Sequence, residues 1–81
     1  MILVDVQVLM LDQVYDFELD EEMDVEEVME DMIALITKEE HCTCKNIKDM
    51  SLYTIRRECV LEESKSLKSQ GVTAGDRLIL F

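Results

Sequence analysis

The sequence predicts an α+β fold with the element order ββαβ(β)β, in which one helix packs across a mixed sheet. Three features support this prediction: an alternating apolar pattern at the start, an apolar stripe of helical period in the middle, and a short apolar segment at the end. A chain of 81 residues can enclose one hydrophobic core. We therefore expect residues 1–81 to form a single domain.

The first two strands are predicted from alternation. The segment from Ile2 to Met10 alternates, with apolar residues at every second position, which is the period of a half-buried strand. After a short connection at residues 11–13, a second run alternates in the same way. These runs predict an N-terminal hairpin, whose expected core-facing residues are Ile2, Val4, Val6, Val8, Tyr15, Phe17 and Leu19.

A change of period after Asp24 predicts the helix. Asp24 is a favourable N-cap residue, and Glu27, three positions later, completes a capping-box pattern. Apolar residues then recur at spacings of three and four, as expected for one face of an amphipathic helix of roughly four turns. The residues of this stripe are Val25, Val28, Met29, Met32, Ile33 and Ile36.

The second half of the chain predicts shorter elements. Residues 39–50 have no sustained period and are expected to form a loop, followed by a strand at 52–57 with Tyr53 and Ile55 facing inward. Residues 59–61 form the optional fourth strand, and the polar segment 62–70 is expected to dock through Leu67. The apolar run at 77–81 follows a turn rich in glycine and suits a central strand.

Charge and composition exclude several classes of function. The net charge is −11, and ten acidic residues fall between positions 16 and 31, so binding to nucleic acid or to anionic membranes is not expected. No apolar run is long enough to cross a membrane, and no basic segment precedes the first apolar residues, so we expect a cytoplasmic protein. The acidic helix face is either a solvated surface or a steering surface for a partner; its residues are Glu26, Glu27, Glu30 and Asp31.

The residues with metal-ligand or nucleophilic character do not form a recognisable site. His41, Cys42, Cys44 and Cys59 are suitable zinc ligands, but a C-x-C pair is poor spacing for a structural zinc site. Three cysteines cannot all form disulfides within one chain, so reduced thiols are the simpler interpretation. The serines have no evident His–Asp partners, and we predict no enzymatic activity, no bound metal and no cofactor.

The segment at residues 71–80, GVTAGDRLIL, carries a resemblance to a known family. Together with the element order, it resembles the ubiquitin-like β-grasp superfamily over nearly the whole chain. Within that superfamily it is similar to the YukD/EsaB proteins associated with bacterial type VII (ESX/WXG100) secretion. The resemblance implies a cytoplasmic, protein-binding accessory or regulatory component of that secretion system.

Two alternatives accompany this interpretation. The first is a small β-grasp structural or regulatory subunit of another complex, such as an oxygenase. The second is a ubiquitin-like modifier or sulfur carrier, which needs a tail that ends in Gly-Gly and whose terminal carboxylate is adenylated. The chain ends in Leu80-Phe81, so conjugation and sulfur transfer are expected only if a tail is missing.

Strand alternation at the end of the chain predicts a partner-binding patch. If Leu78 and Leu80 face the core, Ile79 and Phe81 face outward. Leu3, on the first strand, is expected to join them. An exposed apolar patch of this kind is typical of a docking surface, so we expect protein partners or a weak homodimer.

Overall fold

The computed structural model describes residues 1–40 and 50–81, with side chains given for residues 1–38 and 50–81. Five strands form one sheet in the order β2-β1-β5-β3-β4: β1 is Ile2–Val8, β2 is Gln13–Leu19, β3 is Leu52–Thr54, β4 is Cys59–Val60 and β5 is Arg77–Leu80. One helix, α1, spans Val25–Glu40. The predicted mixed sheet with a helix across it is confirmed.

The N-terminal hairpin is confirmed. β1 pairs antiparallel with β2 from Ile2 opposite Leu19 to Val8 opposite Gln13. The connection begins earlier than expected, with a 3₁₀ turn at Leu9–Leu11. Asp12 then adopts a left-handed conformation (φ 51°), which aspartate tolerates better than most residues, so the turn closes without glycine.

Helix α1 buries its predicted stripe: Val25, Val28, Met29, Met32, Ile33 and Ile36 are all in the core. Its N-terminus differs from the capping-box prediction. The amides of Val25 and Glu26 donate to the backbone carbonyls of Lys65 and Glu63, at 2.9 and 3.1 Å. Among the described residues, no hydrogen bond joins Glu27 to the Asp24 side chain. The loop after β4 therefore supplies the acceptors that an N-cap side chain usually provides.

Strand β5 is central, as predicted. It runs parallel to β1, with Val6 opposite Leu78, and antiparallel to β3, with Leu52 opposite Leu80. Leu78 and Leu80 are fully buried. Leu67 is also fully buried, so the polar segment before β5 docks through this side chain as expected.

The predicted orientation of β3 is wrong. Leu52 and Thr54 are fully buried, whereas Tyr53 is half-buried and Ile55 is 42% exposed after the strand has ended. Apolar residues occupy both parities of this run, so alternation did not determine the buried side. The register of β3 with β5 determines the buried side, because Leu52 lies opposite the buried Leu80.

A buried carboxylate holds the turn before β5 in place. Both oxygens of Asp76 accept from Arg56, at 2.9 Å from Nε and 3.1 Å from a terminal nitrogen, and the Thr73 amide donates to Asp76 Oδ2 at 2.9 Å. Arg56 also donates to the Gly71 carbonyl. Gly75 adopts a left-handed conformation (φ 86°) directly before Asp76. The glycine and aspartate of the GVTAGD segment therefore shape and anchor this turn.

Candidate protein-binding surfaces

The outward face of the sheet, opposite α1, carries a cluster of apolar side chains. Strand register places Ile79 beside Tyr53, and Tyr53 beside Val60 on the edge strand β4. Phe81 follows two positions after Ile79, where Ser51 and Phe81 exchange backbone hydrogen bonds. We define Tyr53, Val60, Ile79 and Phe81 as the sheet-face patch. Val60 is 51% exposed and Phe81 46% exposed, while Tyr53 and Ile79 are half-buried.

Two of the three residues predicted for this patch are neighbours, and the third is not. Ile79 and Phe81 lie together, but Ile79 is opposite Gln7 on β1. Leu3 is four residues further along β1, about 13 Å away at roughly 3.3 Å per residue. Leu3 is 56% exposed and shares the outward face, but it lies at the other end of the strand.

A row of charged residues separates Leu3 from the patch. Asp16, Asp5 and Arg77 are aligned across β2, β1 and β5. Arg77 pairs with Asp5 at 3.5 Å. A hydrogen bond between the two carboxyl groups raises the pKa of Asp16, and the same contact, followed by Arg77, lowers the pKa of Asp5. The outward face is thus apolar at one end and charged at its middle.

The four acidic residues predicted on the helix are all exposed: Glu26, Glu27, Glu30 and Asp31. None of them forms an ion pair with another described residue. Glu26 and Glu27 lie in the first helical turn, where the helix dipole favours negative charge. The structure therefore leaves this acidic surface available to a basic partner, on the opposite side of the molecule from the sheet-face patch.

Sequence reasoning missed Tyr53 and Val60. Tyr53 was assigned to the core because the apolar residues of its run do not alternate in a single phase. Val60 belongs to a strand of two residues, which is too short to show a period. The pairing of β3 with β5 reveals Tyr53, since it places this residue opposite the outward-facing Ile79, and the pairing of β3 with β4 then places Val60 beside Tyr53.

The possible metal-ligand cluster is only partly visible. His41, Cys42 and Cys44 lie outside the described residues, and Cys59 is an exposed free thiol on β4. Within residues 1–40 and 50–81, no group of three or more histidine, cysteine, aspartate or glutamate residues is arranged to hold a metal ion. No helix in this part of the chain is long and apolar enough to span a membrane.

Solved structures similar to this chain share the ubiquitin-like fold. The ubiquitin-like domain of the Arabidopsis thaliana protein At2g32350 is 22% identical, with a TM-score of 0.74 over 99% of this chain and 74% of that one. The N-terminal ubiquitin-like domain of the 4931431F19Rik protein is 21% identical, with a TM-score of 0.71 over 99% and 72%. A designed protein based on ubiquitin is 14% identical, with a TM-score of 0.73 over 99% and 85%. At these identities the similarity shows the fold alone.

The family is shown by the sequence. No curated protein matches it significantly. Residues 3–80 match the family described as "WXG100 protein secretion system (Wss), protein YukD". This match covers α1 and all the described strands except the first residue of β1, and it agrees with the ubiquitin-like architecture. The chain therefore belongs to the YukD family, a ubiquitin-like family associated with WXG100 protein secretion.

Proposed function

We propose that the chain is a non-enzymatic, cytoplasmic component of a WXG100 secretion system that binds another protein of that system through its sheet-face patch. The observation that carries this proposal is the cluster of apolar side chains on the outward sheet face. Tyr53, Val60 and Ile79 belong to three different strands and Phe81 directly follows β5, yet strand register brings the four side chains together on the outward face.

The composition of the patch favours a protein partner. Aromatic residues at the centre of an interface contribute large contact areas at low entropic cost, and they are enriched among residues that dominate binding energy. Tyr53 and Phe81 supply two such side chains, and Ile79 lies on the central strand between β1 and β3. The charged row of Asp5, Asp16 and Arg77 provides a polar border on one side.

The acidic helix face has a different role in this proposal. Four unpaired carboxylates on one surface of a strongly acidic chain raise the rate of encounter with a basic partner, and salt screens this effect. We assign Glu26, Glu27, Glu30 and Asp31 to such steering. Replacing all four with glutamine should slow association with the secretion partner, and the difference from wild type should shrink as ionic strength rises.

Affinity purification from the native cytoplasm tests the sheet-face patch. The tagged wild type is compared with the double variant Ile79→Asp/Phe81→Asp, and the captured proteins are identified by mass spectrometry. Ser64→Asp controls for the effect of one negative charge added outside the patch, because Ser64 is exposed on a turn after β4. Leu3→Asp tests whether the patch extends past the charged row.

The proposal predicts that wild type and Ser64→Asp recover components of the WXG100 secretion system and that the double variant does not. Circular dichroism must show that the double variant remains folded. Recovery of the same components by the double variant would overturn the role of the patch. Capture of an oxygenase complex, or of covalently linked conjugates, would overturn the assignment to secretion and favour one of the two alternatives.

A further inference from the structure

A second surface lies on the helix side of the sheet, where α1 and the edge strand β2 are separated by an open cleft. The cleft has a volume of about 410 Å³, which falls in the roughly 300–1,000 Å³ range of ligand-binding clefts. Most of its lining residues are apolar, and they include Phe17 and Leu19 from β2 and Val28, Met32 and Leu35 from α1. Leu35 is 52% exposed at this cleft.

The cleft runs beside backbone groups of β2 that β1 does not use. Leu3 accepts a backbone hydrogen bond from Gly75, and Asp5 donates one to Asp76. The backbone amide and carbonyl of the intervening residue Val4 therefore point the other way, toward β2. Its partner Phe17 therefore belongs to a hydrogen-bonded pair. By alternation, the amides and carbonyls of Val14, Asp16 and Glu18 point away from β1.

β2 is an edge strand of the sheet as the described residues form it. Unpaired backbone groups on an edge strand can accept another strand from a partner protein. Here the unpaired edge adjoins an apolar cleft, so side chains of an added strand that face α1 would enter the cleft. Those on its other face would lie beside Asp16 and Glu18, which point to the outward side of the sheet.

The charges around the cleft determine which strand fits. Glu18, Asp20 and Asp31 are among its lining residues, and these include no lysine or arginine. Asp16 adds a further carboxylate on β2. A second copy of this chain would bring a matching set of acids to the same edge, so charge repulsion opposes pairing of β2 with itself.

We propose that the cleft and the free edge of β2 bind an extended segment of a partner protein in which apolar and basic residues alternate. The apolar residues enter the cleft between β2 and α1, the basic residues meet the carboxylates of the β2 edge, and the backbone pairs with Val14, Asp16 and Glu18. This site is on the opposite side of the sheet from the sheet-face patch and does not depend on the function proposed for that patch.

A synthetic heptapeptide in which lysine alternates with valine tests the proposal. It is titrated into the full ¹⁵N-labelled chain while amide signals are followed by NMR. The proposal predicts shifts at Glu18, Val28 and Leu35. Peptides that alternate lysine with serine, or glutamate with valine, should bind at least tenfold more weakly, because the first lacks apolar side chains and the second has the wrong charge.

Methylating one backbone nitrogen of the peptide tests the strand pairing itself. In an extended peptide all valine amides point to one side and all lysine amides to the other. If the peptide adds to β2, methylation of a central valine nitrogen and of a central lysine nitrogen must have different effects, and one of the two must weaken binding at least tenfold. Equal effects of the two methyl groups would overturn strand addition.

Two charge reversals localise the site on the protein. Glu18 lies on the β2 edge, where the lysines of an added strand would meet it, whereas Glu30 is exposed on α1. Glu18→Lys should weaken peptide binding at least tenfold at 150 mM salt. Glu30→Lys, with the same change in net charge, should weaken it by less than about threefold, because the lysines lie on the other face of the sheet from α1 and screening limits the reach of surface charge to roughly 8 Å. Equal loss in both variants would show general charge attraction and overturn the site.

The Ile79→Asp/Phe81→Asp variant separates this proposal from the function assigned to the sheet-face patch. It should bind the peptide as wild type does, even though it loses the secretion partner. Shifts centred on Tyr53 and Ile79, or no binding of the lysine–valine peptide, would overturn the cleft proposal while leaving the proposed function untouched.

Discussion

Replacing Thr54 with valine should stabilise the protein. Thr54 lies in β3 with no exposed surface, and its hydroxyl oxygen has no hydrogen-bond partner among the described residues. A buried hydroxyl without a partner costs about 1–3 kcal/mol. Valine keeps the β-branched shape that suits a strand and replaces the hydroxyl with a methyl group.

The size of the effect follows from these terms. Removing an unpaired hydroxyl gains about 1–3 kcal/mol, part of which is lost if the new methyl group fits imperfectly, so we expect a net gain of about 1 kcal/mol. For a domain of this size, that gain raises Tm by roughly 4–8 °C. Urea denaturation gives the free energy of unfolding, and calorimetry gives Tm.

Thr54→Ser provides the matched control. It retains the hydroxyl and removes the methyl group, so it should destabilise the protein by about 1 kcal/mol. If Thr54→Val is no more stable than wild type while Thr54→Ser behaves as expected, the hydroxyl is satisfied by a hydrogen bond and the reasoning is refuted.

Three further predictions concern the turn before β5 and the charged row. Gly75→Ala should lower the free energy of unfolding by about 1–2 kcal/mol in urea denaturation, because alanine is strained at a φ of 86°. No atom lies near the added methyl group, so this backbone strain is the whole expected effect, and an unchanged midpoint would contradict it. The Arg56 hydrogen bond lowers the pKa of Asp76 from 3.8, so Asp76→Asn should be less stable than wild type at pH 6. The difference in free energy of unfolding between the two proteins should shrink as pH falls below 3.8. A difference that is constant with pH would count against the ion pair. The hydrogen bond with Asp5 raises the pKa of Asp16, so the protonated form of Asp16 contributes stability at low pH that is lost as pH rises. Asp16→Asn should therefore raise Tm at pH 6 and have less effect at pH 3.

The parts of the fold that sequence predicted are those with a single clear period. Val4, Val6 and Val8 alternate without interruption, and all three are buried. Helix α1 was predicted for the same reason, since it presents one apolar face. β5 has no such period and was predicted from a short apolar run after a turn that contains glycine. Binary pattern is informative where only one face of an element is apolar.

The parts that sequence did not predict depend on contacts distant in the chain. The ion pair between Arg56 and Asp76 joins residues twenty positions apart, and neither position shows a local pattern that would indicate it. The acceptors for the first amides of α1 come from Lys65 and Glu63, in a loop after β4. Such contacts follow from the packing of elements and have no period along the sequence.

The candidate site was predicted in part for the same reasons. Ile79 and Phe81 were placed outward correctly, because alternation with Leu78 and Leu80 determines their side. The position of Leu3 relative to them depends on the register between β1 and β5, which alternation does not give. Register is therefore what limits the patch to one end of the sheet and adds Tyr53 to it.

The proposed function is tested most directly by the secretion of WXG100 proteins from cells whose own copy of this chain carries Ile79→Asp/Phe81→Asp. Secreted and cellular WXG100 proteins are quantified by immunoblot, with Ser64→Asp as the control and with equal amounts of the chain in all strains. The proposed binding role of the sheet-face patch predicts that secretion is lost in the double variant and retained in the control. Undiminished secretion by the double variant, at wild-type abundance, would contradict it.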